Sequence, residues 1–201
     1  MTYFYKEVFG KIVKEYISLE DAVAGLKKDF KEKAGSYTVT FTDNTKLNSS
    51  VTFPTFVKEL HLKAEGKKDA NALMTLDLGG YSISTSATVD VYTNLHITNT
   101  SKTASKFATT AKNGAGGYSV KISQTESSNV EHLSNITLSA ANGTVLFSKA
   151  NENEIISKAH KADAVITAKE VIAESGKWEL GTVSVTTLTN SASVYADELF
   201  V

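Results

Sequence analysis

Residues 81–91 have the sequence Tyr-Ser-Ile-Ser-Thr-Ser-Ala-Thr-Val-Asp-Val and form the clearest strand pattern in the chain. The odd-numbered positions are mostly apolar, and the even-numbered positions carry Ser, Thr or Asp. A period of two is typical of a β-strand that buries one face and exposes the other. Because sheets with one face in water are usually antiparallel, this stretch predicts an antiparallel sheet.

The same alternation predicts further strands on both sides of this stretch. Tyr37, Val39 and Phe41 alternate with threonines, and comparable patterns occupy 118–123, 136–139, 144–147, 178–189 and 193–201. Asn142-Gly143 predicts a tight hairpin turn between two of these strands. A Gly-[Ser/Gly]-Tyr pattern recurs at Gly35, Gly79 and Gly116. Its unequal spacing argues against a true repeat and indicates a shared turn chemistry at three strand starts.

Two regions favour helix instead. In the N-terminal helical segment, residues 1–34, apolar pairs recur every four residues, which predicts two helices or one helix kinked near Ser18. Ser18 and Asp21 have the spacing of an N-cap with an acidic residue three positions on, and Gly35 is a candidate helix stop. Residues 152–174 predict one further helix.

These elements predict an α+β, β-dominated fold. The expectation is an N-terminal helical segment over 1–34 followed by a β-rich part over 35–201, folded as an antiparallel β-sandwich or barrel, with one helix near 152–174. Residues 98–117 are polar and low in complexity, which predicts a long exposed loop or arm. The 201 residues are enough for a single compact domain with its own core.

Composition excludes several functions. The chain has no Arg and no Cys, while Ser, Thr and Asn supply 57 of its 201 residues. Thiolate metal sites, cysteine nucleophiles and guanidinium clamps are therefore impossible. The net charge of -1 and the mixed lysine clusters lack the basic footprint of a nucleic-acid binder.

Motifs for catalysis are also missing from the linear sequence. The four histidines, His61, His96, His132 and His160, have no metal-ligand spacing, and no Ser stands in a nucleophile motif. A Ser-His-Asp triad needs three converging residues, and no local context marks them. We therefore predict no catalytic residue, no metal and no cofactor.

Aromatic residues mark both chain ends. Free termini usually fray, so aromatic termini indicate docking, either onto the chain's own body or onto a partner. Phe107 is the only large apolar residue of the 98–117 arm. The candidate interface residues are Tyr3, Phe4, Tyr5, Phe9, Phe107 and Phe200.

At the level of composition, the chain is similar to virion subunits of tailed bacteriophages. The resemblance implies a non-enzymatic structural or assembly subunit, such as a tail-tube, connector or capsid-associated protein, that binds copies of itself or other virion proteins. A carbohydrate- or small-ligand-binding module, using exposed Tyr side chains or Trp178, is the alternative, and an enzyme with a scattered site is a third. No signal peptide or transmembrane pattern is visible, so the expected location is the virion, or the host cytoplasm during assembly.

Overall fold

The structure, a computed structural model, describes residues 2–6, 11–30, 32–64, 74–92, 95–124, 131–149, 160–174, 177–190 and 193–201. These residues form one helix, α1 (Leu19–Phe30), and sixteen strands that join in one sheet. The strands are β1 (Thr2–Lys6), β2 (Lys11–Tyr16), β3 (Gly35–Phe41), β4 (Thr45–Lys46), β5 (Val51–Thr52), β6 (Val57–Ala64), β7 (Met74–Asp77), β8 (Ser82–Thr85), β9 (Thr88–Val91), β10 (Leu95–Thr98), β11 (Lys106–Thr109), β12 (Val120–Gln124), β13 (Glu131–Lys149), β14 (His160–Ala173), β15 (Lys177–Asn190) and β16 (Ser193–Phe200).

The sheet is mostly parallel, so the predicted antiparallel sandwich or barrel is wrong. Among the described strands, only β1 pairs antiparallel, with β2 on one side and β3 on the other. Every other pair is parallel and joins a strand to the equivalent strand in the next full turn of the chain, as in β3 with β6 and β6 with β9. Each such turn is called a coil below. The chain therefore winds as a parallel coil whose strands enclose one core.

The coil has three faces that share this core. The first face contains β3, β6, β9 and β12, followed by the C-terminal parts of β13, β14 and β15. The second contains β4, β7 and β10, followed by the first parts of β13 to β16. The third contains β5, β8 and β11, the middle of β13, β14 and β15, and the end of β16.

Columns of apolar side chains run along the inside of each face. A coil cannot bury its inward side chains alone, so each coil is stabilised by its neighbours. Almost all members of these columns are fully buried. The column of the first face is Tyr37, Leu60, Val89, Val120, Val145, Val171 and Leu188. The column of the third face is Val51, Ile83, Phe107, Leu138, Ile166, Val183 and Leu199.

Helix α1 covers the N-terminal end of this core. Leu19, Ala22 and Leu26 are buried, because they lie on one side of the helix at the predicted spacing. The predicted cap is confirmed: the Asp21 N–H donates to Ser18 Oγ at 3.0 Å, and Ser18 Oγ donates to the Asp21 carboxylate at 2.7 Å. The rest of the predicted helical segment is wrong, because 2–6 and 11–16 are strands.

The predicted helix over 152–174 is also wrong where the structure describes it. Residues 160–173 are strand β14, with Ala162, Ala164, Ile166 and Ala168 buried and Asp163 exposed between them. Residues four apart share one side of a strand as well as one side of a helix, so the alanine-rich spacing suited both structures. Residues 152–159 lie outside the described residues.

Two predicted turns take different roles in the coil. Asn142-Gly143 lies inside β13, which pairs parallel with its neighbours, so the predicted hairpin is wrong. A Cβ on Gly143 would lie 2.5 Å from Ser119 Oγ, so this position needs glycine for close approach between coils. Gly35 starts β3, and the residue with a left-handed backbone after α1 is Glu32, with φ of 53°.

Candidate functional site

The last described coil exposes an apolar strand edge. Among the described residues, β16 pairs with β15 alone, so the far edge of Ser193–Phe200 keeps its backbone groups open. Tyr195, Leu199, Phe200 and Val201 are 58%, 48%, 58% and 77% exposed. An open edge with exposed apolar side chains is a template for pairing with another strand.

The predicted interface residues fall into three groups. Phe107 is in the core of the third face and 1% exposed, so its assignment to an exposed arm is wrong. Tyr3, Phe4 and Tyr5 lie in β1, whose backbone pairs with β2 and β3. Phe9 lies outside the described residues. Phe200 is exposed on the last coil, and its role in an interface stays a prediction.

The predicted 98–117 arm is in part ordered structure. Lys106–Thr109 forms β11, and Asn99 is buried at a corner between the second and third faces. Asn99 Oδ1 accepts hydrogen bonds from the Gly80 and Ser101 N–H groups, both at 3.0 Å. Residues 112–117 are exposed, which agrees with the prediction for that portion.

Asp77 clamps the same corner. Its carboxylate accepts hydrogen bonds from the Gly79 N–H at 2.9 Å, from the Thr100 N–H at 3.0 Å and from Thr100 Oγ1 at 2.5 Å. Lys46 Nζ lies 3.2 Å from Oδ2. Burial by itself raises the pKa of Asp77, but these bonds and the hydrogen bond from Lys46 outweigh it and lower the pKa to about 2. These hydrogen bonds tie the backbone at Gly79 and Thr100 to the Asp77 carboxylate, so Asp77 has a structural role at this corner.

A groove on the C-terminal coils offers a second surface. It has a volume of about 620 Å³, and Tyr195, Lys177, Glu179 and Asp163 are among its lining residues. Lys177 Nζ lies 5.7 Å from the centre of the Tyr195 ring, within range of a cation–π contact. Trp178, by contrast, is fully buried against Phe147, so the proposed use of Trp178 as an exposed sugar platform is wrong.

The coil register brings a serine, a histidine and a carboxylate together on the outside of the first face. His61 in β6 lies directly beside Asp90 in β9. His61 Nδ1 is 3.2 Å from Asp90 Oδ2, and His61 Nε2 is 3.0 Å from Ser36 Oγ. Ser36 comes from β3, so the three residues belong to three successive coils. The linear sequence does not mark this cluster, because no fixed spacing relates residues on coils of different length.

Charged and phenolic groups surround this Ser36–His61–Asp90 cluster. Burial raises the pKa of Asp90, but the His61 imidazole, the Tyr118 hydroxyl and the Lys121 charge together hold it below its usual value. Burial and the nearby Asp90 carboxylate raise the pKa of Tyr118. A cavity of about 100 Å³ lies beside His61 and Asp90 and is walled in part by the 114–116 turn.

Other ligand chemistry has less support. No group of three or more His, Cys, Asp or Glu side chains in the described part of the chain could hold a metal ion. The helix described here, α1, is too short and too polar to span a lipid bilayer, and no longer one occurs in the described ranges. A second histidine–serine contact joins His96 and Ser134: Nε2 of His96 lies 2.7 Å from Ser134 Oγ, and both side chains are half-buried. Ser134 Oγ also lies 2.7 Å from Thr98 Oγ1.

Comparison with protein-family models, with curated proteins and with solved structures finds no match for this chain. The fold class is that of a parallel β-coil, and the strand pairing defines it without help from a relative. A fold does not by itself imply a function, so the exposed surfaces and side-chain clusters of this chain carry the functional evidence.

Proposed function

We propose that this protein is a structural assembly subunit that associates through the open edge of its last coil. The observation that carries the proposal is the difference between the two ends of the core. Helix α1 packs over the N-terminal end of the core, where, among the described strands, β2 also pairs on one side only, whereas the unpaired edge of β16 carries the exposed side chains of Leu199 and Phe200. Soluble coil proteins normally cover such ends with polar capping elements, so an apolar end favours contact with another strand.

The proposed occupant of this edge is a second copy of the chain. Two copies present the same exposed apolar side chains on β16, which favours a two-fold contact between two like ends. Two β16 strands related by a two-fold axis pair antiparallel, which satisfies their open backbone groups. Asp197 and Glu198 are acidic in both copies, so added salt should strengthen self-association and weaken the binding of a basic partner.

We place this subunit, as a proposal, in a bacteriophage virion, as a tail-tube, connector or capsid-associated protein. The support is compositional: the chain is rich in Ser, Thr and Asn and lacks Cys and Arg. Repeated contacts between copies of one chain are what such particles require. The proposed location is the virion, and the host cytoplasm during assembly.

The test is the oligomeric state of the 201-residue chain. Light scattering after size exclusion should show a dimer that increases with protein concentration and with ionic strength. The double variant Leu199→Ser, Phe200→Ser should be monomeric, because it removes the apolar contact. The matched control is Ile17→Ser, which also removes an exposed apolar side chain, 87% exposed, but at the other end, and it should still dimerise.

A monomer at every concentration and ionic strength, or a double variant that dimerises like the wild type, would overturn the assembly proposal. The second candidate would then lead: a β-rich module that binds a carbohydrate or another small ligand. The groove beside Tyr195 is the observation that favours it, because an exposed aromatic ring among polar side chains can stack on a sugar.

A further inference from the structure

We propose that Ser36, His61 and Asp90 form a nucleophilic site that hydrolyses small esters on the outside of the first face. This inference is independent of the assembly proposal, since the cluster lies on the first three coils and not on the last one. It departs from the sequence-based expectation that the chain contains no catalytic residue.

The geometry assigns each residue a role. Asp90 Oδ2 is 3.2 Å from His61 Nδ1, so the carboxylate accepts the Nδ1 proton and fixes the tautomer. Nε2 then carries a lone pair toward Ser36 Oγ, 3.0 Å away. Both distances match those of an activated serine whose base is oriented by a third group. Ser36 and His61 are the catalytic residues, and Asp90 is a positioning residue.

The neighbouring groups keep this arrangement in place. The low pKa of Asp90 keeps its carboxylate charged at neutral pH, as the positioning role requires. Tyr92 OH is 3.4 Å from Nδ1, and Glu59 Oε2 is 4.0 Å from Nε2. Tyr118 and Lys121 face Asp90 from the next coil. The pH dependence of the reaction will therefore reflect these charges as well as the imidazole.

The site is open to small molecules. The side chain of His61 is 23% exposed and that of Asp90 is 16% exposed. A cavity of about 100 Å³ adjoins His61 and Asp90, and Ser36 is not among its lining residues. Gly114, Ala115 and Gly116 bring backbone rather than bulky side chains to its wall. Ser36 itself is half-buried, so a small ester such as an acetyl ester reaches it from the outer surface of the sheet.

The reaction proceeds in two balanced steps. In the first, Ser36 Oγ attacks the ester carbonyl carbon as His61 Nε2 takes the hydroxyl proton; the bond from the carbonyl carbon to the alkoxy oxygen breaks, and the alcohol leaves with that proton. In the second, water attacks the acyl group on Ser36 and gives a proton to Nε2. The Ser36 ester bond then breaks, His61 returns the proton to Oγ, and the carboxylic acid is released.

Covalent labelling tests the proposal directly. The folded chain is incubated with a small alkyl fluorophosphonate, and intact-mass and peptide mass spectrometry locate the adduct. We expect one adduct per chain, on Ser36, and none on Ser36→Ala. The control is Ser84→Ala, which removes an exposed strand serine that lies outside the cluster, and it should label like the wild type. Far-ultraviolet circular dichroism establishes that each variant is folded.

The rates of labelling and of ester hydrolysis distinguish an activated Ser36 from a serine that is merely exposed. His61→Gln should slow both labelling and p-nitrophenyl acetate hydrolysis by at least about a hundredfold, because it removes the base. Asp90→Asn should slow both and change the pH profile, and Asp90→Glu should restore part of the rate. A folded wild type that stays unlabelled, labelling of Ser84 equal to that of Ser36, or hydrolysis unchanged in Ser36→Ala would each refute the site.

Discussion

The coils in the first part of the chain and those in the last part differ in length but share one register. In the third-face column, Val51 and Ile83 are neighbours across a coil of 32 residues, and Phe107 and Leu138 across one of 31. Val183 and Leu199 are neighbours across a coil of only 16 residues. Extra residues are therefore accommodated between the strands, while the inward columns keep each strand in place.

The two parts also differ in how they are held. The first coils are covered by α1 and clamped by polar side chains such as Asp77 and Asn99. The last coils depend on short connections and tight backbone approach, and their final strand has exposed apolar side chains. The first part therefore has a helix packed over its core, and the last part exposes apolar side chains on β16, the strand proposed above as the contact surface.

The largest expected effect comes from opening the covered end. Leu26→Ala removes a fully buried side chain of α1 and should lower the free energy of unfolding by about 2–5 kcal/mol. Leu199→Ala, at a leucine that is 48% exposed on the last coil, should cost less than about 1 kcal/mol in the monomer. Urea denaturation of both variants measures the difference. Equal losses would show that the two ends are not distinct.

A smaller effect is expected from tight packing between the last coils. A Cβ on Gly181 would lie 2.7 Å from the Ala164 carbonyl oxygen and 3.0 Å from its amide nitrogen. Because backbone atoms must then shift, Gly181→Ala should cost about 1–3 kcal/mol, seen as faster hydrogen exchange in β14 and β15. Gly35→Ala is the control, since a Cβ there meets nothing within 4 Å. If both substitutions behave alike, the close approach at Gly181 carries no stability.

The smallest expected effect concerns the polar clamp of the first coils. Folding lowers the pKa of Asp77 to about 2, so its contribution to stability is present above pH ~4 and is lost as the pH falls toward 2. Asp77→Asn should therefore lower the free energy of unfolding by about 1–2 kcal/mol at neutral pH. Thermal melts of wild type and variant should converge near pH 2. A constant difference across this range would contradict the charge-based explanation.

The sequence predicted the positions of strands better than the way in which the strands pair. Alternation correctly marked 37–41 as a strand with one buried face, and Ser18 correctly marked the start of α1. The 81–91 stretch was predicted as a single strand, but the chain turns a corner at 86–87 and divides it into β8 and β9, which lie on different faces. The antiparallel prediction failed because alternation with one wet face is usual in antiparallel sheets, and a parallel coil produces the same pattern. Unequal coil lengths also removed the fixed period by which such folds are recognised in a sequence.

The candidate sites depended still more on the fold. Nothing in the linear sequence relates Ser36 to His61 or His61 to Asp90, because their contact depends on which coil neighbours which. Phe107 appeared to be the one large side chain of a polar arm, yet the column of the third face buries it beside Ile83 and Leu138. In both cases the partner strand, which is distant in sequence, determines the environment of the residue.

The sequence by itself determined which side of each regular strand is buried, where α1 begins, and which chemistries are impossible without Cys or Arg. Only the tertiary structure decided that the strands stack in parallel, that Phe107 and Trp178 are buried, and that a serine, a histidine and a carboxylate converge. The physical reason is that side-chain alternation is a local property of the backbone, whereas strand pairing is selected by the packing of whole columns.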